Sequence, residues 1–363
     1  MVRTAKLALE DGTILEGEGF GAETVKAGEI VFSTSMTGYV EALTDPSFKG
    51  QILMSTYPLI GNYGVSTEWY QSEDIKAEAY VVRQVCNEPC HPKSEKTISE
   101  FLEENDVPGI SGIDTRALTL KIRELGSMKA VVANKEISDE ELLQIIEEQP
   151  RLEDMNLVEK VTVKEPKVIQ ERREYNVAVL DCGVKKNIIN HLIAQDVGIT
   201  LLPATTSAQE IYDLDVDGVL VSSGPGNPEN VDKIQDTIRE IAQKMPLAGI
   251  CLGQQIIALT YGAKIYKMKF GHRGSNQPVQ HLDTGRVYMT SQNHSFSIDP
   301  ESIEETDLEI TQINLNDGSP EAIIHTKLPI SCIQYHPEAG PGPHDSRVFF
   351  DNFVNTIKEY KGK

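Results

Sequence analysis

From Tyr175 onward the chain alternates short, unbroken apolar runs with stretches of helical spacing, and no other feature restricts its fold as tightly. Residues 176–182, 198–202, 218–222 and 247–250 read as strands buried on both faces. Residues 187–195 and 234–243 read as helices between them. Such βαβ alternation predicts an α/β domain with an open, mostly parallel sheet and helices on both faces, its functional groups at the carboxyl ends of the strands. Past residue 262 the pattern becomes β-rich, with strands expected over 262–269, 276–281, 287–291, 309–315, 322–325 and 330–335. An amphipathic helix over 348–360 closes the chain.

The preceding part has a different grammar. Two strands flank an Asp11-Gly12 hairpin turn, a third strand covers 28–35, and 36–54 combines a short helix, a turn at Pro46 and a strand beginning near Gln51. Asp114 and Gly126 have the positions of an N-cap and a C-terminal stop around a helix, and 140–148 reads as a short acidic helix. Gly17, Gly19 and Ala22 fit a loose dinucleotide fingerprint, but no helix follows to receive a pyrophosphate. The domains expected are a smaller, β-rich α/β domain over 1–150, a charged linker containing Pro166 over 151–174, and the βαβ domain over 175–363.

A chain of 363 residues is long enough for two cores, and 39% hydrophobic with 25% charged residues is ordinary for a globular protein. The net charge of -21 opposes nucleic acid and anionic membranes as partners. No apolar run approaches a membrane span and the first ten residues lack the core of a signal peptide, so the expected location is the cytoplasm. Five scattered cysteines argue against a disulfide framework. Cys86, Cys90 and His91 lack a second ligand pair, so no metal site is expected.

Three strand ends carry candidate chemistry. Cys251 follows the apolar run 247–250 and precedes a helical stretch, which puts it on a strand-to-helix elbow in register with Gly249 and Gly253. Unpaired N–H groups and the helix dipole there favour negative charge and can receive an oxyanion. A lone cysteine at such a connection can equally be a small core residue. Ser223-Gly224-Pro225-Gly226-Asn227-Pro228 forms a second strand-end loop, and Tyr335-His336-Pro337-Glu338 a third. His336 and Glu338 flank a proline on extended backbone, so both side chains can project to one side, as a base and the group that orients it.

Together, Gly249-Ile-Cys-Leu-Gly-Gln-Gln255, the 223–228 loop and 335–338 resemble the motifs of class I glutamine amidotransferases across 175–363. Residues 36–52, 109–126, Asp181-Cys-Gly-Val-Lys-Lys-Asn-Ile188 and 268–279 resemble the small, glutamine-hydrolysing subunits of carbamoyl phosphate synthetases, a likeness that spans nearly the whole chain. It implies that Cys251 attacks the glutamine side-chain amide, His336 moves the proton and Glu338 orients His336. It also implies an oxyanion hole from the N–H groups of Leu252 and the Gly224 loop, and glutamine contacts from Ser47, Gly224, Gly226, Leu252, Gln255, Asn293, Ser295 and Phe296. Ser295 stands where the family pattern has glycine, and Gln254 where histidine is frequent.

The chain has no G-x-x-x-x-G-K-[ST] loop, so it is expected to hold no nucleotide. The resemblance assigns ATP and magnesium to a large partner subunit that receives ammonia and makes carbamoyl phosphate, the precursor for arginine and pyrimidine biosynthesis. Two other readings share the fold: a free-standing cysteine γ-glutamyl hydrolase, and an inactive regulatory subunit. The N-terminal motifs oppose the first and the intact Cys251, His336 and Glu338 oppose the second.

Overall fold

The computed structural model describes residues 3–362. Two compact units divide the chain, one ending at Met155 and the other beginning at Asn156.

The first unit is built on a closed seven-stranded barrel. Around it run Arg3–Leu9, Ile14–Gly21, Pro108–Ser111, Ala79–Val81, Gln51–Ser55, Val25–Ser33 and Met128–Ala133, with the pairs among Pro108–Ser111, Ala79–Val81, Gln51–Ser55 and Val25–Ser33 parallel. Closure removes the sheet edges that short strands would otherwise expose. Gly17 and Gly19 fall inside a barrel strand, leaving no helix for a dinucleotide. Tyr39–Leu43 and Ile98–Glu104 pack Val40, Leu43, Phe101 and Leu102 against Leu53 and Tyr80. Asp114 caps Thr115–Leu125 by accepting from the Ala117 N–H at 3.0 Å, and Gly126 ends it at φ 101°. Arg116 is exposed on that helix.

The second unit carries a ten-stranded sheet. Gly198–Pro203, Asn176–Asp181, Gly218–Val221, Leu247–Ile250 and Ile330–Ile333 are parallel neighbours in that order. Beyond Ile330–Ile333 the sheet continues antiparallel through Pro320–His325, Leu308–Asn314, Ile265–His281 and Val287–Ile298. Alternation within strands separates the faces. Ala178, Leu180, Val219 and Val221 pack with Ile211, Ile234, Ile238, Ile256 and Ile257, whereas Val177, Val179, Leu220 and Ile250 pack with Ile188, Leu192, Phe350, Phe353 and Ile357. Helices therefore cover both faces, and each fully buried Ile or Phe contributes about 2 kcal/mol by transfer from water.

Two differences from the sequence reading have local causes. The stretch 151–174 contains the edge strand Lys167–Gln170, paired antiparallel with Gly198–Pro203, and short turns burying Leu152, Leu157 and Val158. Its charged residues hid this because an edge strand needs few apolar positions. The breaks expected around 270–275 and after 291 are bridged, since Ile265–His281 and Val287–Ile298 form one long ladder with irregularities at 267–272 and 274–277.

Candidate active site

Leu247–Ile250 runs into the helix Leu252–Thr260 with a single residue between them. That residue, Cys251, has φ 54° and ψ -106°, a conformation disfavoured for a side-chain-bearing residue. The turn is fixed from both sides. The Cys251 N–H donates to Ile333 O at 2.8 Å on the neighbouring strand, and Cys251 O accepts from the Gln255 N–H at 3.2 Å. Gly253 serves close approach here, since a Cβ on it would stand 2.2 Å from Val221 O. The first turn of the helix has no acidic residue and no side-chain cap, so its N-terminal dipole is not offset locally.

Cys251 is 2% exposed, and its Sγ lies 3.7 Å from Asn293 O. The Gly224 loop, at the end of Gly218–Val221, stands beside the elbow. A Cβ on Gly224 would be 2.0 Å from Cys182 O and 2.9 Å from the Leu252 side chain, so only glycine lets the backbone pass. Gly226 follows at φ 91°.

His336 and Glu338 follow the next strand, Ile330–Ile333. The His336 N–H donates to Ser291 O at 2.8 Å, which anchors the backbone to the 287–298 strand. Nδ1 of His336 lies 2.7 Å from Glu338 Oε1. Burial disfavours a charged ring, but Glu338 and then Cys251 act against it and raise His336 to about 10. Burial likewise favours a neutral Glu338, yet Lys185 and His336 hold it down to about 2. His336 Nε2 has no hydrogen-bond partner in the protein among the described residues, so with Nδ1 on Glu338 it is the ring nitrogen left open to proton exchange.

The other candidates divide. Gln255 Nε2 donates to Phe296 O at 2.8 Å and Gln334 Oε1 at 3.0 Å, so this amide braces the strand that presents 293–296. The Ser295 hydroxyl is hydrogen-bonded by the buried Arg273, whose Nη1 also donates to Phe270 O at 2.7 Å. A hydroxyl in place of the family's glycine thus has a partner of its own. Ser47 lies in the first unit, on the turn Pro46–Phe48 capped by Asp45, whose Oδ1 accepts from the Ser47 N–H at 2.9 Å. The Ser47 hydroxyl caps nothing: it is buried with no hydrogen-bond partner among the described residues.

The sequence reading assigned no role to Lys185, although it quoted the surrounding motif. Its ammonium is 2% exposed, 3.1 Å from Glu338 Oε1. A second polar group also escaped it. His272, His294 and Glu321 place ligand-type atoms within 4.8 Å of one another. Most of these atoms are already engaged: His294 contacts Phe296 O at 2.8 Å and Gln292 Oε1 at 3.0 Å, His272 Nε2 lies 2.9 Å from Asp317 Oδ2, and Glu321 Oε1 accepts from Gln292 Nε2 at 2.8 Å and Asn314 Nδ2 at 2.9 Å. The cluster is built as internal support for the strands behind 293–296.

With this geometry in place, residues 178–356 match the family model of class-I glutamine amidotransferases, which defines the class of the second unit. Residues 7–132 match the CPSase domain of the carbamoyl-phosphate synthase small chain. The carbamoyl phosphate synthase small chain of Archaeoglobus fulgidus is 52% identical over 98% of this chain and 99% of its own length. Those of Methanopyrus kandleri and Staphylococcus epidermidis are 48% and 45% identical, covering 98% and 100% of this chain and 99% and 98% of their own lengths. The chain belongs to the carbamoyl phosphate synthase small chain family. Among the described residues no helix is long and apolar enough to cross a membrane.

Proposed function

We propose that this chain is the glutaminase subunit of a glutamine-dependent carbamoyl phosphate synthase, with Cys251 as nucleophile. The observation that carries the reading is the buried His336–Glu338 pair, 2.7 Å apart, at the strand end next to the Cys251 elbow. The sulfur bonds the side-chain carbonyl carbon of L-glutamine while the N–H groups of Leu252 and the Gly224 loop receive the oxyanion. The C–N bond then breaks and His336 gives its proton to the departing ammonia. In the second half, water bonds the acyl carbon and loses a proton to His336, the C–S bond breaks, and glutamate leaves. Gly226, Asn293, Ser295 and Phe296 line the substrate in this reading.

The ammonia passes to a large subunit, which binds ATP and magnesium and forms carbamoyl phosphate from bicarbonate in the cytoplasm. Support comes from the full-length similarity to small chains and from the absence of a phosphate-binding P-loop motif in this sequence. The test is Cys251→Ser in the complex with the large subunit. Glutamine-dependent synthesis disappears while synthesis from free ammonia persists. A mutant complex that kept its glutamine-dependent rate would remove Cys251 from the chemistry.

A further inference from the structure

Resting on the glutaminase reading above, we propose that Lys185 is a positioning residue of this site: its ammonium ties down the turn that carries His336 and Glu338 and shares the carboxylate oxygen that orients the ring, so that His336 can release its proton during turnover.

The placement of Lys185 is costly on its own terms. It is the N-cap residue of Lys186–Ala194, where a cation opposes the helix dipole, and it is 2% exposed. The loop that delivers it is rigidly built: Asp181 accepts from the N–H groups of Gly183 at 3.0 Å, Val184 at 2.8 Å and Val163 at 2.8 Å. From there Nζ donates to Ala339 O at 2.6 Å. Ala339 has φ 54°, a left-handed conformation that a non-glycine residue keeps only when its surroundings hold it. The bond to Lys185 and the 3.1 Å bond from the Ala339 N–H to His336 O are two such restraints.

The charge argument is separate from the geometric one. Glu338 Oε1 accepts from His336 Nδ1 and also faces Lys185 Nζ at 3.1 Å. A buried carboxylate with only the ring as neighbour would hold the ring's proton more firmly than one whose charge is shared with an ammonium. Glu338 fits this: against burial, Lys185 is the strongest influence keeping it ionised. The consequence falls on the second half of the reaction, which needs a neutral His336 to take the proton of water as its oxygen bonds the acyl carbon and the C–S bond breaks.

The experiment compares Lys185→Met and Lys185→Arg with wild type in the complex with the large subunit, following glutamate release over a pH series and trapping the covalent adduct by mass spectrometry. Removing the charge should raise the pH needed for turnover by roughly one to two units. The kcat at neutral pH then falls roughly ten- to a hundredfold with KM little changed. The γ-glutamyl thioester accumulates and activity recovers as pH rises, while Lys185→Arg keeps the wild-type profile. An equal fractional loss in Lys185→Met at every pH, without adduct, would reduce Lys185 to a structural role and overturn the proposal. If wild type itself releases no glutamate, the glutaminase reading fails instead. The His336 midpoint, read by NMR on isotope-labelled histidine, still decides: a higher midpoint in Lys185→Met supports the charge coupling, and an unchanged or lower one overturns it.

Discussion

His336 Nδ1 and Glu338 Oε1 stand 2.7 Å apart across a single proline, both side chains closed off from solvent. The backbone between them is a turn, closed by the Ala339 N–H donating to His336 O at 3.1 Å, and not the extended segment expected from the sequence; the turn brings the carboxylate back to the ring, and the proline within it offers no N–H that would need a partner. The His336–Glu338 bond also fixes which ring nitrogen is available. With Nδ1 committed to the carboxylate, proton exchange falls to Nε2.

Glu338→Gln tests that division of labour. The amide can still occupy the site but no longer favours the protonated ring, and Lys185 loses its buried counter-charge. Glutamine hydrolysis is expected to fall by roughly two to four orders of magnitude in kcat. A lowered melting temperature should accompany it. Steady-state glutaminase assays with thermal melts measure both; a kcat within a factor of two of wild type would show that the carboxylate does not orient a reacting base.

Ser47→Ala separates binding from stability. The Ser47 hydroxyl is buried with no hydrogen-bond partner among the described residues, so removing it breaks no bond among them. The melting temperature should stay within about 1 °C. If the hydroxyl serves glutamine, KM rises roughly tenfold, the value of one ordinary hydrogen bond. An unchanged KM would withdraw Ser47 from the substrate.

The parts of the site that were legible in the sequence are those set by local pattern. The elbow could be read because Leu247–Ile250 is too short and apolar for anything but a buried strand and Gly253 breaks the run before the helix. His336 and Glu338 were legible as residues, but the backbone between them was not: it is a turn closed by Ala339, where extended chain was expected. Lys185 was not, because a lysine next to Lys186 reads as solvated, and only the inward spacing three and four residues ahead of Ile188 and Ile189 hinted at its direction. Arg273 and Ser295 were equally hidden: their pairing crosses the antiparallel ladder, 22 residues apart in sequence. The barrel of the first unit needs the register of all seven strands, and closure leaves no mark on any one of them.

Asp317→Asn probes the buried cluster behind 293–296 through its pH dependence. Burial lowers His272, but Asp317 and Glu321 prevail and raise it to about 9; burial raises Asp317, but His272 and Ser319 prevail and hold it below its ordinary value. A raised histidine contributes stability fully below its unfolded value of 6.5 and loses it as pH climbs through about 9. A depressed aspartate contributes above 3.8 and loses it as pH falls further. The variant should therefore melt below wild type most clearly between these limits, near pH 4 to 6.5, with the gap closing towards about 9. Melting curves over a pH series check this; a gap that grows with alkalinity would reverse the assignment.

Gln254 offers a case where a polar group works against stability. It is fully buried in the Leu252–Thr260 helix, and neither its amide oxygen nor its amide nitrogen has a hydrogen-bond partner in the protein among the described residues. Its neighbour Gln255 has two. An amide buried without partners costs about 1–3 kcal/mol per unmade bond, whereas methionine has similar length, similar helix propensity and no such requirement. Gln254→Met is expected to raise the melting temperature by about 2–4 °C. Glutaminase activity should stay near wild type, because the elbow backbone, Cys251 and the Gln255 brace are untouched. A fall in melting temperature would mean that the amide is engaged in solution, and a loss of activity without a loss of stability would mean that its partner is the substrate.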